Sequence, residues 1–177
     1  MLRKSITICL VSIILLCACT TSSGIKVEGL SDPQEKKIKI HTASYFKPFI
    51  IIDGSQDWFL RADIDKKTKL QNYQLDVTFN STEWVYWDRA RFKTANGDIE
   101  YPVRRISANA NCKKKGCAHY EDVILEINAK TLKDWAKANT VVSFSSSKVA
   151  TRRDVVLDKK EVSEFLAKIQ IVLASNF

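Results

Sequence analysis

His119 and Glu121 stand two residues apart, so on a strand they share one face, and Asp122 follows them. A carboxylate beside an imidazole can serve as a general acid or base, and an envelope hydrolase would use such a pair. If Cys112 and Cys117 oppose each other in an antiparallel pair, His119 faces Ala110, Glu121 faces Ala108, Val123 faces Ile106 and Leu125 faces Arg104. Two alanines opposite the polar pair leave room for a small notch beside the cysteines. The competing reading is structural: a carboxylate at the core's edge needs a cation or donors. Arg104 is the cross-strand candidate, and Arg105 serves only if the register is bulged. The residues favour this structural ion pair over an acid or base.

Two other groupings could bind rather than react. Trp84, Val85, Tyr86 and Trp87 read as an aromatic strand that could stack sugar or peptide, with Arg89 and Arg91 on the Trp87 face; burial of both faces is the plainer alternative. Lys113, Lys114 and Lys115, followed by Gly116, form a basic tip between the two cysteines that suits lipid phosphates or an acidic protein, in a contact weakened by salt. Nucleic acid fits less well, because no aromatics interleave with this cluster. Catalytic signatures are missing: the serines at 143 and 145–147 lack a nucleophile-elbow context, and there is no glycine-rich phosphate loop. His41 and His119 are the only histidines, and Cys112, Cys117 and His119 lack the paired spacing of a structural zinc site. No cofactor, no metal and no enzymatic reaction are expected.

The start of the chain gives an address. Arg3 and Lys4 precede the apolar run 6–16, which is too short for the roughly 20 residues of a spanning helix, and Ala18 then Cys19 follow. A basic start, a short apolar core and a small residue before the cut are the parts of an export signal, and here they resemble a bacterial lipoprotein signal with Cys19 as the lipid-bearing residue. Cleavage before Cys17 would put bulky Leu16 at the small-residue position. An ordinary signal peptide or an uncleaved anchor is the alternative. Removal of residues 1–18 leaves 159 residues and lowers the formal charge from +8 to +6, enough chain for one domain with a real core. The basic balance admits anionic partners, although a solvated surface accounts for most of it. Of the five cysteines, Cys112 and Cys117 remain as an even pair in an oxidising compartment, where a hairpin-closing disulfide follows.

The elements that must position these residues are mostly strands. Residues 19–42 are rich in Ser, Thr, Gly and Lys and read as a flexible tether, with Ile38 and Ile40 able to begin an edge strand. Residues 43–177 form the domain. Period-two alternation marks a hairpin, with Trp58, Leu60, Ala62 and Ile64 on one arm and Tyr73, Leu75, Val77 and Phe79 on the other. Strands over 83–93 and 99–110 flank Asn96-Gly97, and Pro102 places the second at an edge or a bulge. Further strands are expected over 117–127, 140–145 and 149–157. A short helix capped by Thr131 fits 131–138. A final helix from Asp158 carries a stripe of Val162, Phe165, Leu166, Ile169, Val172 and Leu173. The fold class is α+β, mainly antiparallel β: a β-sandwich or curved sheet with a short helix and a packed C-terminal helix.

Several pieces of the chain, Trp58-Phe59-Leu60-Arg61-Ala62, Tyr73-Gln74-Leu75-Asp76-Val77, Trp84 with Trp87 and Ala90, Gly97, and Cys112 and Cys117 with Glu121-Asp122-Val123, together with the capped last helix, resemble a family of uncharacterised exported proteins and lipoproteins of Gram-negative bacteria. The likeness runs over roughly 58–173 and brings no established activity. Lipoprotein sorting by the second mature residue, here Thr20 rather than aspartate, implies the outer membrane, with the domain in the periplasm. The expected role is a non-catalytic binding or scaffold module of the cell envelope. Its partners would be the membrane, through lipid on Cys19, and an envelope protein or anionic lipid. An accessory lipoprotein of a secretion or envelope-assembly machine and a hydrolase using His119 and Glu121 are the alternatives.

Overall fold

The computed structural model describes residues 24–44, 56–94, 97–114 and 116–176. Ten strands and two helices follow one another as β1 (Lys26–Glu28), β2 (Lys37–His41), β3 (Gln56–Asp65), β4 (Gln71–Ser81), β5 (Arg89–Thr94), β6 (Gly97–Pro102), β7 (Arg104–Lys113), β8 (Gly116–Ile127), α1 (Ala129–Trp135), β9 (Thr140–Ser145), β10 (Arg152–Leu157) and α2 (Lys159–Asn176). They form a six-stranded sheet in the order β1-β2-β3-β4-β8-β7 and a four-stranded sheet in the order β10-β9-β5-β6, antiparallel throughout. The fold is therefore mainly antiparallel β with a short helix and a packed C-terminal helix.

Alternation explains the larger sheet. Every second residue of β3 is buried, and Leu60 pairs with Leu75, which pairs with Leu125 across β4 and β8, so one face of three central strands is a continuous apolar layer. The smaller sheet contributes Ala90, Phe92, Val142, Phe144, Val155 and Leu157 to the same core. Phe79 joins the two sheets, stacked on Trp87 at 4.3 Å between ring centroids and edge-on to Phe144 at 5.3 Å. The stripe on α2 closes the core through Val162, Phe165, Ile169 and Val172, with Leu166 and Leu173 packed at its margin. Asp158 Oδ1 accepts from Lys160 N–H at 2.7 Å at the start of this helix.

Several boundaries differ from the sequence reading. The segment read as a tether over 19–42 is structured in its described part: β1 and β2 extend the large sheet, and Ile38 and Ile40 are buried because their apolar side chains complete the face that β3 leaves open. The run 99–110 is two strands in two sheets, parted at Val103, whose N–H donates to Asp88 O at 2.9 Å. Pro102 ends β6, which is an edge strand, so its missing donor breaks no interior ladder. The helix α1 starts one turn earlier than expected, because Asn128 rather than Thr131 caps it, accepting from Thr131 N–H at 2.8 Å. The strand expected over 149–157 is confined to β10.

Candidate functional site

Residues 82–88 carry the chain from the large sheet to the small one, and here the sequence reading needs correction. The aromatic strand expected from Trp84 to Trp87 does not form. Tyr86 adopts φ +63°, a left-handed conformation that costs an ordinary residue about 1–2 kcal/mol, and this breaks the alternation. Its position is fixed by Glu121, whose Oε1 accepts from Val85 N–H at 2.7 Å and whose Oε2 accepts from Tyr86 N–H at 3.0 Å. Arg105 Nη1 donates to the same Oε2 at 3.3 Å. Arg105 (5.1 Å) and Lys148 (4.4 Å) lie over the Tyr86 ring, and Ser146 Oγ donates to Val85 O at 2.6 Å.

Glu121 is 0 % exposed, and both its oxygens are engaged by the crossover and by β7. The register runs as expected from Cys112–Cys117 through Ala110–His119 to Ala108–Glu121. It then shifts at Ile106, so Val123 faces Arg105 and Ile124 faces Arg104. The bulge makes Arg105 the cation of the buried carboxylate and sends Arg104 to Glu126 on the solvent side, at 3.7 Å. The space opposite the alanines holds protein: the Trp84 ring lies edge-on to His119 at 4.5 Å. His119 Nδ1 is buried without a hydrogen-bond partner and makes no hydrogen bond to Glu121. Asp122, on the opposite face of β8, accepts from Thr78 Oγ1 at 2.7 Å and from the Ser107 hydroxyl. Two successive carboxylates thus fasten β7 and the crossover to the sheet from either side. Among the described residues Glu121 is thus enclosed by its own partners.

The remaining candidates are scattered. Trp87 is 2 % exposed and belongs to the core, with Arg153 6.0 Å from its ring, so it offers no stacking platform. Arg89 and Arg91 point away from that core and are paired with Glu100 of β6, at 3.8 and 2.9 Å. Lys113 and Lys114 are exposed at the β7–β8 tip below the Cys112–Cys117 disulfide. Lys115 and the lipidation residue Cys19 lie outside the described residues. A recess of about 350 Å³ beside the disulfide is lined by Ser81, Trp84, Cys117, Ala118 and Arg153, and neither Glu121 nor His119 reaches it. No group of three or more His, Cys, Asp or Glu side chains among the described residues could hold a metal ion.

Glu161 is half-buried in the first turn of α2. Burial pushes its carboxyl up to about 7, reinforced by Asp158 and Glu164 and partly opposed by the Thr42 hydroxyl. The folded chain therefore holds this proton more tightly than the unfolded chain does. Its contribution is full below about 4.5 and is lost as pH rises through about 7. Glu161→Gln is expected to match the parent at pH 4 and to melt at a higher temperature at pH 8, read from thermal unfolding at both values. Equal melting temperatures at pH 8 would contradict the burial argument.

Compared with protein-family models, with curated proteins and with solved structures, the chain shows no match. Among the described residues no helix is long and apolar enough to cross a membrane. The disulfide fits an oxidising, extracytoplasmic compartment.

Proposed function

We propose that this chain is a lipoprotein held at the outer membrane through Cys19, whose β domain works in the envelope as a non-catalytic binding or scaffold module. The observation that carries the non-catalytic reading is the state of Glu121. Glu121, the carboxylate read from the sequence as the partner of His119, is fully buried and spends its oxygens on two backbone amides and Arg105. A general acid or base must reach the proton it transfers, and this group reaches only its own fold. The tether rests on the signal at 1–18 and on Cys19. Two or three acyl chains, at about 0.8 kcal/mol per buried methylene, would make such an anchor effectively permanent. An accessory role in a secretion or envelope-assembly machine is the same reading with a named kind of partner.

Metabolic labelling with an alkynyl fatty acid tests the anchor. The parent chain is expected to take up label and fractionate with the outer membrane, and Cys19→Ser is expected to lose both. Label retained in Cys19→Ser, or a parent chain recovered in the periplasmic fraction, would refute it.

A further inference from the structure

Among the described residues the edge of the large sheet formed by β7 is open. Among the described residues β7 pairs only with β8, and no residue along its ten is buried. Lys113 and Gly116 close the turn, and the Cα atoms of Cys112 and Cys117 stand 4.0 Å apart. That short separation marks a non-hydrogen-bonded pair, since hydrogen-bonded pairs stand about 5.5 Å apart. By alternation Ala108, Ala110 and Cys112 turn their N–H and C=O groups away from β8, toward solvent. Such a row is a template for another strand, and proteins usually blunt it with proline, with charge or with a bulge in its middle. The β6 edge is blunted this way by Asp98, Glu100 and Pro102. In β7 the bulge lies near one end, at Ile106, and Ser107 to Cys112 carry no charge, no proline and no side chain larger than asparagine.

Charge selects what could pair there. From 104 to 116 the sequence holds Arg104, Arg105, Lys113, Lys114 and Lys115 and no acid; Arg104 and Arg105 are matched by Glu126 and Glu121 of β8, which leaves the lysines as the charged end of the neutral stretch. Two copies laid edge to edge in parallel would bring the lysine tips opposite each other, which destabilises the pair, and in the antiparallel direction each tip would meet only the neutralised pairs Arg104–Glu126 and Arg105–Glu121, so neither arrangement supplies the lysines with an anion. We propose that β7 receives an extended segment of a partner protein with acidic residues at the end that faces Lys113 and Lys114, which adds a seventh strand to the six-stranded sheet. Main-chain hydrogen bonds supply the attachment, the lysine end orients the segment, and exposed Ile106 offers it an apolar contact. This rests on the reading of the chain as a binding module and gives that module its surface.

The probe is a fluorescein-labelled peptide, Asp-Glu-Thr-Val-Thr-Val-Thr-Glu-Asp, titrated against the full-length chain purified from membranes in neutral detergent. Saturable binding is expected, with slowed amide exchange at Ala108, Ala110 and Cys112. Ala110→Pro should weaken it at least tenfold, because the proline removes an outward donor and leaves the bonds to β8 in place. A peptide N-methylated at alternate residues should lose binding to the parent chain, a control that does not depend on how any variant folds. Replacing the peptide's acids by lysine should also weaken binding at least tenfold. No saturable binding, or binding indifferent to Ala110→Pro and to N-methylation, would overturn the proposal. So would attachment to anionic vesicles that needs Lys113 and Lys114 but ignores Ala110→Pro, which would assign the tip to lipid. An envelope partner retained by Ala110→Pro would remove this inference and leave the binding-module reading standing. Failure of the acyl labelling would remove the anchor and leave the peptide result untouched.

Discussion

Glu121→Ala is expected to cost about 3–5 kcal/mol, the loss typical of breaking a buried charge pair, and to lower the melting temperature by roughly 9–15 °C for a domain of this size. The substitution leaves the N–H groups of Val85 and Tyr86 without an acceptor at a site that is 0 % exposed. Each buried, unmatched donor costs about 1–3 kcal/mol. It also releases Tyr86 from its left-handed conformation and removes the anion that Arg105 meets through the bulge. Arg105→Ala should cost less, because the Arg105 side chain is 37 % exposed and the two amides still hold the carboxylate. Glu121→Gln should fall between these, since its carbonyl satisfies one amide while its NH₂ opposes the other. Chemical denaturation of the three variants gives the order. A Glu121→Ala chain within 1 kcal/mol of the parent would contradict an anchoring role.

Trp87→Ala is expected to cost about 3–5 kcal/mol, the usual price of emptying a large aromatic site in a packed core. The ring is 2 % exposed and stacked on Phe79, which meets Phe144 of the other sheet, so its loss opens a void where the two sheets join. Trp87→Phe keeps part of the stack and should lose less than half as much. Equilibrium unfolding distinguishes this from a ligand platform. A Trp87→Ala chain as stable as the parent, with loss of saccharide or peptide binding, would restore the platform reading.

The parts of this fold legible in the sequence are those with an unbroken local period. The apolar residues of β3 and β4 alternate without interruption, and the stripe on α2 keeps helical spacing, so each declares its core face, although Gln74 and Asp76 on the other face of β4 are buried as well. The cysteine pair also carried real information: it set the register of β7 on β8 from 112–117 through to Ala108 and Glu121. The register beyond Ser107 was hidden, because a bulge adds one residue without altering composition, and that residue decides whether Arg104 or Arg105 meets the carboxylate. The crossover at 82–88 misled for a different reason. Its aromatics alternate as a strand would, but a tyrosine at positive φ has no local signature and is sustained by Glu121, 35 residues away. β1, with three residues, is too short to show a period, whereas the alternation of Ile38 and Ile40 in β2 already allowed a strand there. What the sequence left open is that β2 lies inside the sheet, between β1 and β3, with Ile38 and Ile40 buried.

The site follows the same division. Glu121 stood out because it shares a strand face with His119, yet the amides that occupy it belong to main chain, which side-chain types do not reveal. The open edge of β7 likewise depends on sheet order, and its residues, small and neutral between cations, become informative only once the strand is known to be terminal.

The most direct test of a tethered binding module is crosslinking in the native envelope, followed by purification of the full-length chain and mass spectrometry, with Cys19→Ser in parallel. The expected result is a stoichiometric protein partner recovered with the parent chain and lost from the Cys19→Ser chain. Recovery of the parent chain alone, at crosslinking levels that capture known envelope complexes, would contradict the account.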